Sequence, residues 1–360
     1  MIFLRSLVFL CGILVVALTI LSAVKTFVLP RSAPDPLTRS VFLFVRALFD
    51  LRLRWAKNYR DKDRLLAFYA PVSILALLPA WLALVALGYI GMYWALGAPS
   101  WLEAYKISGS SLLTLGVTTT TSFPTTLLEF TEATIGLLLV ALLIGYLPTM
   151  YAAFQRREAT VTMLEVRAGS PPSAIEMILR YHRLHGLERL GEQWRTWEAW
   201  FVDVQESHTS LAALVFFRSP RPDHSWVTAA GAVLDAAALT RSTVDIPTDV
   251  QADLCIRAGY LALRHIADFF AVPYNADPQK SDPISVTRQE FEAACERLAV
   301  QGVPLKLDRQ QAWEDFAGWR VNYDTVLIAL AGLTMAPEAL WSSDRAQAYQ
   351  FKPFGRQRLK

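Results

Sequence analysis

Residues 97–130 read GAPSWLEAYKISGSSLLTLGVTTTTSFPTTLLEF and separate two long apolar runs, Phe68–Leu96 and Thr131–Phe154. The segment begins with a moderately amphipathic stretch, continues with small and hydroxylated residues that include Gly116, and reaches Pro124 before the second run. Runs of about 20 apolar residues are long enough to cross a bilayer as helices. The order therefore predicts a membrane helix, a short helix, a polar loop and a further membrane helix.

A third apolar run, Leu7–Val24, lies near the N-terminus. Its length of about 18 residues is near the lower limit for a membrane helix, and it could also be a signal peptide. Because the run is long for a signal peptide and no A-x-A cleavage site follows it, we interpret residues 1–30 as a retained transmembrane anchor.

Residues 31–66 contain the densest basic run, Arg39–Arg64. Charged residues recur there at helical spacing opposite an apolar stripe: Arg46, Asp50, Arg54 and Lys57 against Phe42, Val45, Phe49 and Trp55. This pattern is typical of an amphipathic helix on the membrane surface, or of one that packs on the protein's own soluble domain.

The basic residues also predict the topology. Arg39–Arg64 precede the second apolar run, and Arg156 and Arg157 follow the third. Since positively charged flanks stay in the cytoplasm, we expect a multi-pass protein of the cell inner (plasma) membrane. Residues 97–130 would face outside, and the C-terminal domain would be cytoplasmic. The lipid bilayer is then its first partner.

Residues 157–345 alternate charged and apolar residues without a strand pattern, which predicts an all-helical soluble domain followed by a basic tail, 346–360. Four expected helix starts support five to eight helices: Ser170 before Pro171 and Pro172, Thr248 with Gln251, Thr287 with Glu290, and Asp308 with Gln311. Val326–Met335 is too short to be a fourth span, so we expect a buried core helix. The whole chain is predicted to be all-α, with three transmembrane helices.

Composition limits the classes of function. The net charge of +3 is too small to indicate a nucleic-acid partner, and the three cysteines lack the spacing of a disulfide framework or zinc site. His182 and His185 have no third metal ligand in view, and Ser207-His208 lacks a partnered acid. We therefore predict neither an enzyme nor a cofactor. Trp194, Trp197 and Trp200, at helical spacing, are expected to be core residues.

Several motifs carry a resemblance to a known family. They are Ser111–Gly116 with Pro124-Thr125-Thr126, Gly145–Pro148, Arg156-Arg157-Glu158, Arg167–Ser173, Trp197–Trp200, Ser207–Ser210 and Ser225-Trp226. Phe68–Ser173 resembles the two-helix pore module of potassium channels, of the ion channel 2 type. It is more similar to bacterial potassium-channel-like proteins with an additional N-terminal span. The resemblance implies a pore module over 67–156 with a re-entrant pore loop at 98–126, assembled as a homotetramer around a monovalent cation such as K⁺.

The resemblance also implies which residues form the selectivity filter. Matched to the family pattern Thr-Val-Gly-Tyr-Gly-Asp, Thr114, Leu115 and Gly116 agree, whereas Val117, Thr118 and Thr119 replace the aromatic residue, the second glycine and the acid. In such a filter, glycines with positive φ turn carbonyl groups towards the ion. A β-branched residue resists this angle. We therefore expect weak or altered selectivity.

Residues beside the filter complete the predicted site. Glu103, Glu129 and Glu132 outweigh Lys106 and would give the pore mouth a field that favours cations. Gly136, Gly145 and Pro148 could form a gating hinge, although glycines also serve close helix packing. Two functions remain open: a cation channel regulated by its cytoplasmic domain, or a non-conducting anchor. The anchor would hold that domain at the membrane as a scaffold or signalling platform for an unknown ligand or protein.

Overall fold

The computed structural model describes residues 2–29, 35–118 and 120–346. Within these ranges the chain forms thirteen α-helices. They are α1 (Ile2–Phe27), α2 (Pro36–Leu53), α3 (Tyr59–Ala67), α4 (Tyr69–Ala95), α5 (Trp101–Leu112), α6 (Phe123–Ala168), α7 (Ala174–Arg183), α8 (Leu190–Ser210), α9 (Trp226–Thr243), α10 (Val250–Phe269), α11 (Arg288–Val300), α12 (Arg309–Arg320) and α13 (Asp324–Thr334). The described ranges contain no strand, only an isolated bridge between Val244 and Leu305. The predicted all-helical fold is confirmed.

Three of the helical stretches are long and apolar enough to cross a membrane: Ile2–Phe27, Tyr59–Ala95 and Phe123–Ala168. Except for Leu96 at the end of the second run, they contain the three apolar runs that the sequence predicts as spans. The third helix extends well beyond the predicted end at Phe154, because polar residues with good helix propensity continue it to Ala168.

The described residues divide into two compact units. The first unit lies within Met1–Ala56 and Leu65–Ala152, and the C-terminal unit lies within Lys57–Arg64 and Ala153–Lys360. Of the predicted basic tail, only Ala346 lies inside the described residues.

In the first unit, α1 and α4 cross at two glycines. A Cβ atom on Gly12 would lie 2.5 Å from the carbonyl oxygen of Gly88, so no larger residue fits at the crossing. Small residues bring membrane helices into close contact in this way. Farther along the same pair, the fully buried Trp81 donates a 3.1 Å hydrogen bond from Nε1 to the hydroxyl of Ser22.

The amphipathic helix predicted over Arg39–Arg64 is not continuous, because it breaks between α2 and α3. The carboxylate of Asp35 caps α2 by accepting a 2.8 Å hydrogen bond from the amide of Thr38. The start of α3 belongs to the C-terminal unit, where Asp63 pairs with Arg218 at 3.1 Å and the Tyr59 hydroxyl donates to the carbonyl of Met335 at 3.3 Å. Of the predicted apolar stripe, Phe42 and Phe49 on α2 pack against Tyr69 at the start of α4, whereas the start of α3 packs on the C-terminal domain.

The core of the C-terminal unit is built around α9, in which all residues except Arg241 are buried. Helices α7, α10, α12 and α13 pack against it. Trp194, Trp197 and Trp200 on α8 are also buried, as expected of core residues. Up to Ala346, where the described residues end, seven helices follow α6, within the expected range, and α13 is the predicted short core helix.

Two of the four expected helix starts are correct. Thr287 and Glu290 form a capping box, and Asp308 accepts from the amide of Gln311 at 2.9 Å. The other two lie at neighbouring residues. Asp249, not Thr248, caps α10, because its carboxylate reaches the amide of Gln251 at 2.9 Å.

The remaining cap, of α7, is Ser173 rather than Ser170. The Ser170 hydroxyl instead donates to the Asp223 carboxylate at 2.5 Å. This hydrogen bond holds the pKa of Asp223 below its usual value.

Arg157 is fully buried in the C-terminal unit, whereas Arg156 beside it is exposed. The Arg157 guanidinium pairs with Glu158 at 2.8 Å and donates to the carbonyls of Leu214 and Phe217 at 2.8 and 2.7 Å. Its Nη1 also lies 3.1 Å from Nε2 of the buried His208. Burial, reinforced by this positive neighbour, lowers the pKa of His208 well below its usual value. Of the two basic residues that follow the third apolar run, only Arg156 is exposed, and it pairs with Asp203 at 3.4 Å.

Candidate functional site

The candidate site is the connection between α5 and α6. Ser100 caps the start of α5 by accepting a 3.2 Å hydrogen bond from the amide of Glu103. At its end, the amides of Thr114 and Leu115 bond the carbonyls of Ser111 and Ser110 at 3.0 and 2.8 Å. This pair of hydrogen bonds is the Schellman motif, whose turning residue usually is glycine because it needs positive φ. Here Thr114 takes that place with φ of 53°.

The next turn of the loop is fixed by one buried hydroxyl. Ser110 Oγ accepts hydrogen bonds from the amides of Val117 and Thr118 at 2.9 and 3.1 Å, and it donates to the Thr118 carbonyl at 3.2 Å. Between these residues Gly116 has φ of +65°, the left-handed angle that the sequence predicts for it. Thr118 is not among the residues with positive φ, in agreement with the resistance expected of a β-branched side chain.

The first carbonyl groups of this loop, those of Leu113–Val117, bind no donor of the described chain. Leu113–Val117 are all exposed, and within the described part of the chain none of their carbonyl oxygens accepts a hydrogen bond. In a trans peptide the N–H and the C=O point in opposite directions. Because α5 binds the amides of Thr114, Leu115, Val117 and Thr118, the carbonyls of Leu113, Thr114, Gly116 and Val117 point away from α5.

Two of the three carboxylates predicted at a pore mouth already have partners near this loop. Glu103 forms a 2.9 Å ion pair with Lys106, so its charge is largely offset. Glu129 is half-buried and accepts a 3.0 Å hydrogen bond from the amide of Thr120. It therefore ties the loop to α6. Thr119, the last of the predicted filter residues, lies outside the described residues.

Glu132, the third predicted mouth carboxylate, is enclosed rather than facing solvent. Its side chain is fully buried and accepts hydrogen bonds from the hydroxyls of Ser108 on α5 and Tyr93 on α4, at 2.5 and 3.0 Å. A carboxylate buried in an apolar helix needs such partners, since an unpaired one is costly. Glu132 thus fastens three helices behind the loop, and it adds no open charge to the surface of this chain.

The predicted hinge residues lie in one uninterrupted helix, α6. At Gly136 an added Cβ would overlap the carbonyl oxygen of Leu112, so this glycine lets α6 pack against the end of α5. At Gly145 no atom of the described chain lies within 4 Å of an added Cβ. Pro148 lies inside the helix and is exposed. Of the two interpretations, close packing fits Gly136.

Ser108, Ser110 and Tyr93 were missed by the sequence analysis, although they hold the site together. The run Ser108-Gly109-Ser110-Ser111 contained the signal, because serines inside an apolar segment need hydrogen-bond partners. Residues two positions apart face different sides of a helix. Ser108 accordingly binds α6, whereas Ser110 binds the loop.

The fold and this site define an all-helical protein with three helices long enough to span a membrane and a short helix and irregular loop between the last two. Comparisons with protein-family models, with curated proteins and with solved structures find no match to the chain. The resemblance to potassium channels therefore depends on the sequence motifs alone.

Proposed function

We propose that this protein is a cation channel of weak or altered selectivity, in which loop residues Leu113–Val117 of four copies surround a shared axis. The observation that carries the proposal is the row of exposed carbonyl groups in this loop, turned away from α5 by the binding of the intervening amides. Backbone carbonyls in such a row can replace the hydration shell of a cation.

The membrane setting strengthens this argument. Irregular backbone at membrane depth is tolerated only where it is buried in protein or lines a water-filled cavity. The loop follows a helix of only 12 residues, too short to cross a bilayer, and its residues are exposed in the single chain. A polar axis shared with other copies gives its carbonyls their partners.

Assembly follows from the same geometry. A single pair of membrane helices with one loop cannot enclose an axis, so several copies are required. Leu115 and Val117 are 61% and 77% exposed, and Leu113 is 55% exposed. Packing between copies would cover these apolar side chains. In this proposal the plasma membrane holds the protein with its C-terminal domain in the cytoplasm.

Flux through purified protein in liposomes tests the proposal. We expect uptake of K⁺, Na⁺ and Cs⁺ with little preference among them, and loss of flux in Gly116→Ala, because alanine opposes positive φ. Gly109→Ala is the matched control. Gly109 lies on α5 without positive φ, and a methyl group there meets no atom within 4 Å. Equal flux in Gly116→Ala and wild type would show that the loop is not the permeation path.

The alternative is a non-conducting membrane anchor for the C-terminal domain. The contacts of Asp63 and Tyr59 with that domain favour it, because both residues belong to the start of the candidate membrane-spanning stretch Tyr59–Ala95. A chain that conducts no cation in any variant and stays monomeric in nanodiscs would establish the anchor instead.

A further inference from the structure

A cavity of about 340 Å³ opens in the C-terminal unit, between the start of α8, the end of α9 and the segment that leads into α10. This volume is at the lower end of the range for small-molecule sites. The cavity is far in sequence from the loop between α5 and α6, and no contact of the proposed pore involves it.

The inner wall of the cavity is apolar except for one hydroxyl. Leu190, Trp194 and Val244 line it and are each 1% exposed. Thr240 also lines it and is 5% exposed, yet its Oγ1 has no hydrogen-bond partner among the described residues. Buried hydroxyls nearly always have a partner, and Thr243 on the same helix bonds a backbone carbonyl one turn back. The Thr240 oxygen is nevertheless enclosed in the wall with almost no accessible surface, so the charged groups of the lining decide what the cavity can bind.

Two positive groups line the cavity, and one of them already forms an ion pair. Arg241 pairs with Asp253 at 2.9 Å. Lys306 donates from Nζ to the carbonyl of Arg241 at 2.7 Å, but it forms no ion pair with any described residue. An ammonium group has three donors, so Lys306 can still bind a carboxylate.

Two negative groups line the same cavity. Asp249 caps α10, so one of its carboxylate oxygens already accepts a hydrogen bond. Glu188 is exposed and forms no ion pair within the described ranges. The lining thus offers, beside an apolar wall, one positive and one negative charge that form no ion pair with the described residues.

We propose that this cavity binds a small zwitterion with an apolar side chain, of the α-amino-acid type. Lys306 binds its carboxylate and Glu188 binds its ammonium group. The apolar side chain packs against Trp194 and Val244. A simple anion would meet Glu188 and Asp249, whereas a simple cation would meet Lys306, so a molecule with both charges fits the lining best.

Isothermal titration calorimetry of the full-length protein in nanodiscs tests this inference. The probes are L-leucine, isocaproate, which lacks the amine, and isoamylamine, which lacks the carboxylate. We expect heat of binding with L-leucine and an affinity at least about tenfold weaker for each of the other two, because each loses one charge-assisted hydrogen bond. No binding of L-leucine, or equal binding of isocaproate, would overturn the proposal.

Variants locate the site. Lys306→Gln and Glu188→Gln should each weaken L-leucine binding by about tenfold or more. Thr248→Trp, at the exposed rim, should block entry without changing either charge. Lys280→Gln and Glu296→Gln are the controls, because both side chains are exposed and neither lines the cavity. Circular dichroism melts check that each variant is folded. Unchanged affinity in folded Lys306→Gln and Thr248→Trp would place the binding elsewhere and overturn the inference.

Discussion

Replacing Ser110 by alanine removes the hydroxyl that holds the candidate pore loop. Three hydrogen bonds are lost: two from the amides of Val117 and Thr118, and one to the carbonyl of Thr118. At a net value of about 1 kcal/mol each, the ordered loop is destabilised by about 2–4 kcal/mol in every subunit. The fold itself should survive, since α5 also binds α4 and α6 through Ser108 and Glu132.

Hydrogen–deuterium exchange measures this loss directly. A free energy of 2–4 kcal/mol corresponds to exchange of the two amides that is about 30- to 1,000-fold faster. The peptide to follow covers residues 113–122, in full-length protein in nanodiscs. Ser122→Ala is the control, because the Ser122 hydroxyl is exposed and contacts only Thr125. Unchanged exchange in Ser110→Ala would refute the claim that Ser110 fixes the direction of the loop amides.

Three further predictions concern the rest of the chain. Gly136→Ala should lower the free energy of unfolding by about 1–3 kcal/mol, because its methyl group overlaps a carbonyl at the end of α5, whereas Gly145→Ala, in open space, should leave the melting temperature unchanged or raised. Asp63→Asn leaves Arg218, whose side chain is only 9% exposed, without its carboxylate and should release α3, so trypsin should cut between residues 54 and 64 faster than in wild type. His208 is neutral in the fold, and below its usual pKa of 6.5 the unfolded chain binds the extra proton. The C-terminal domain should therefore lose about 1.4 kcal/mol per pH unit in denaturant unfolding as the pH falls below 6.5, and His208→Gln should remove this slope.

The membrane helices could be predicted because length and apolarity alone decide whether a helix can cross a bilayer. Phe68–Leu96 is such a case, and α4 lies within it. Burial of a charge could not be predicted in this way. Arg157 and Arg156 are neighbours with the same charge, yet only Arg157 enters the core, because carbonyls of Leu214 and Phe217 happen to meet it there. Contacts so distant in sequence leave no local pattern.

The backbone angles of the loop could be predicted only in part. Positive φ at Gly116 could be expected, because glycine adopts it without steric cost. Positive φ at Thr114 does not, because the Schellman motif at the end of α5 imposes it against the preference of a β-branched residue. Glu132 was placed at a mouth on charge alone, but hydroxyls on two other helices enclose it.

Contact between the loop carbonyls and a permeant cation can be detected by an isotope-labelling measurement. Protein labelled with ¹³C at glycine carbonyls and ¹⁵N at valine reports only two peptide bonds, Gly116–Val117 and Gly302–Val303, since the sequence contains no other Gly-Val pair. Both glycines have positive φ, but Gly302 lies in the C-terminal unit and serves as an internal control. Solid-state NMR in liposomes would compare K⁺ with a large impermeant cation. We predict that the Gly116 carbonyl resonance moves while that of Gly302 stays fixed. A Gly116 resonance that is unchanged in protein that conducts K⁺ would contradict the account.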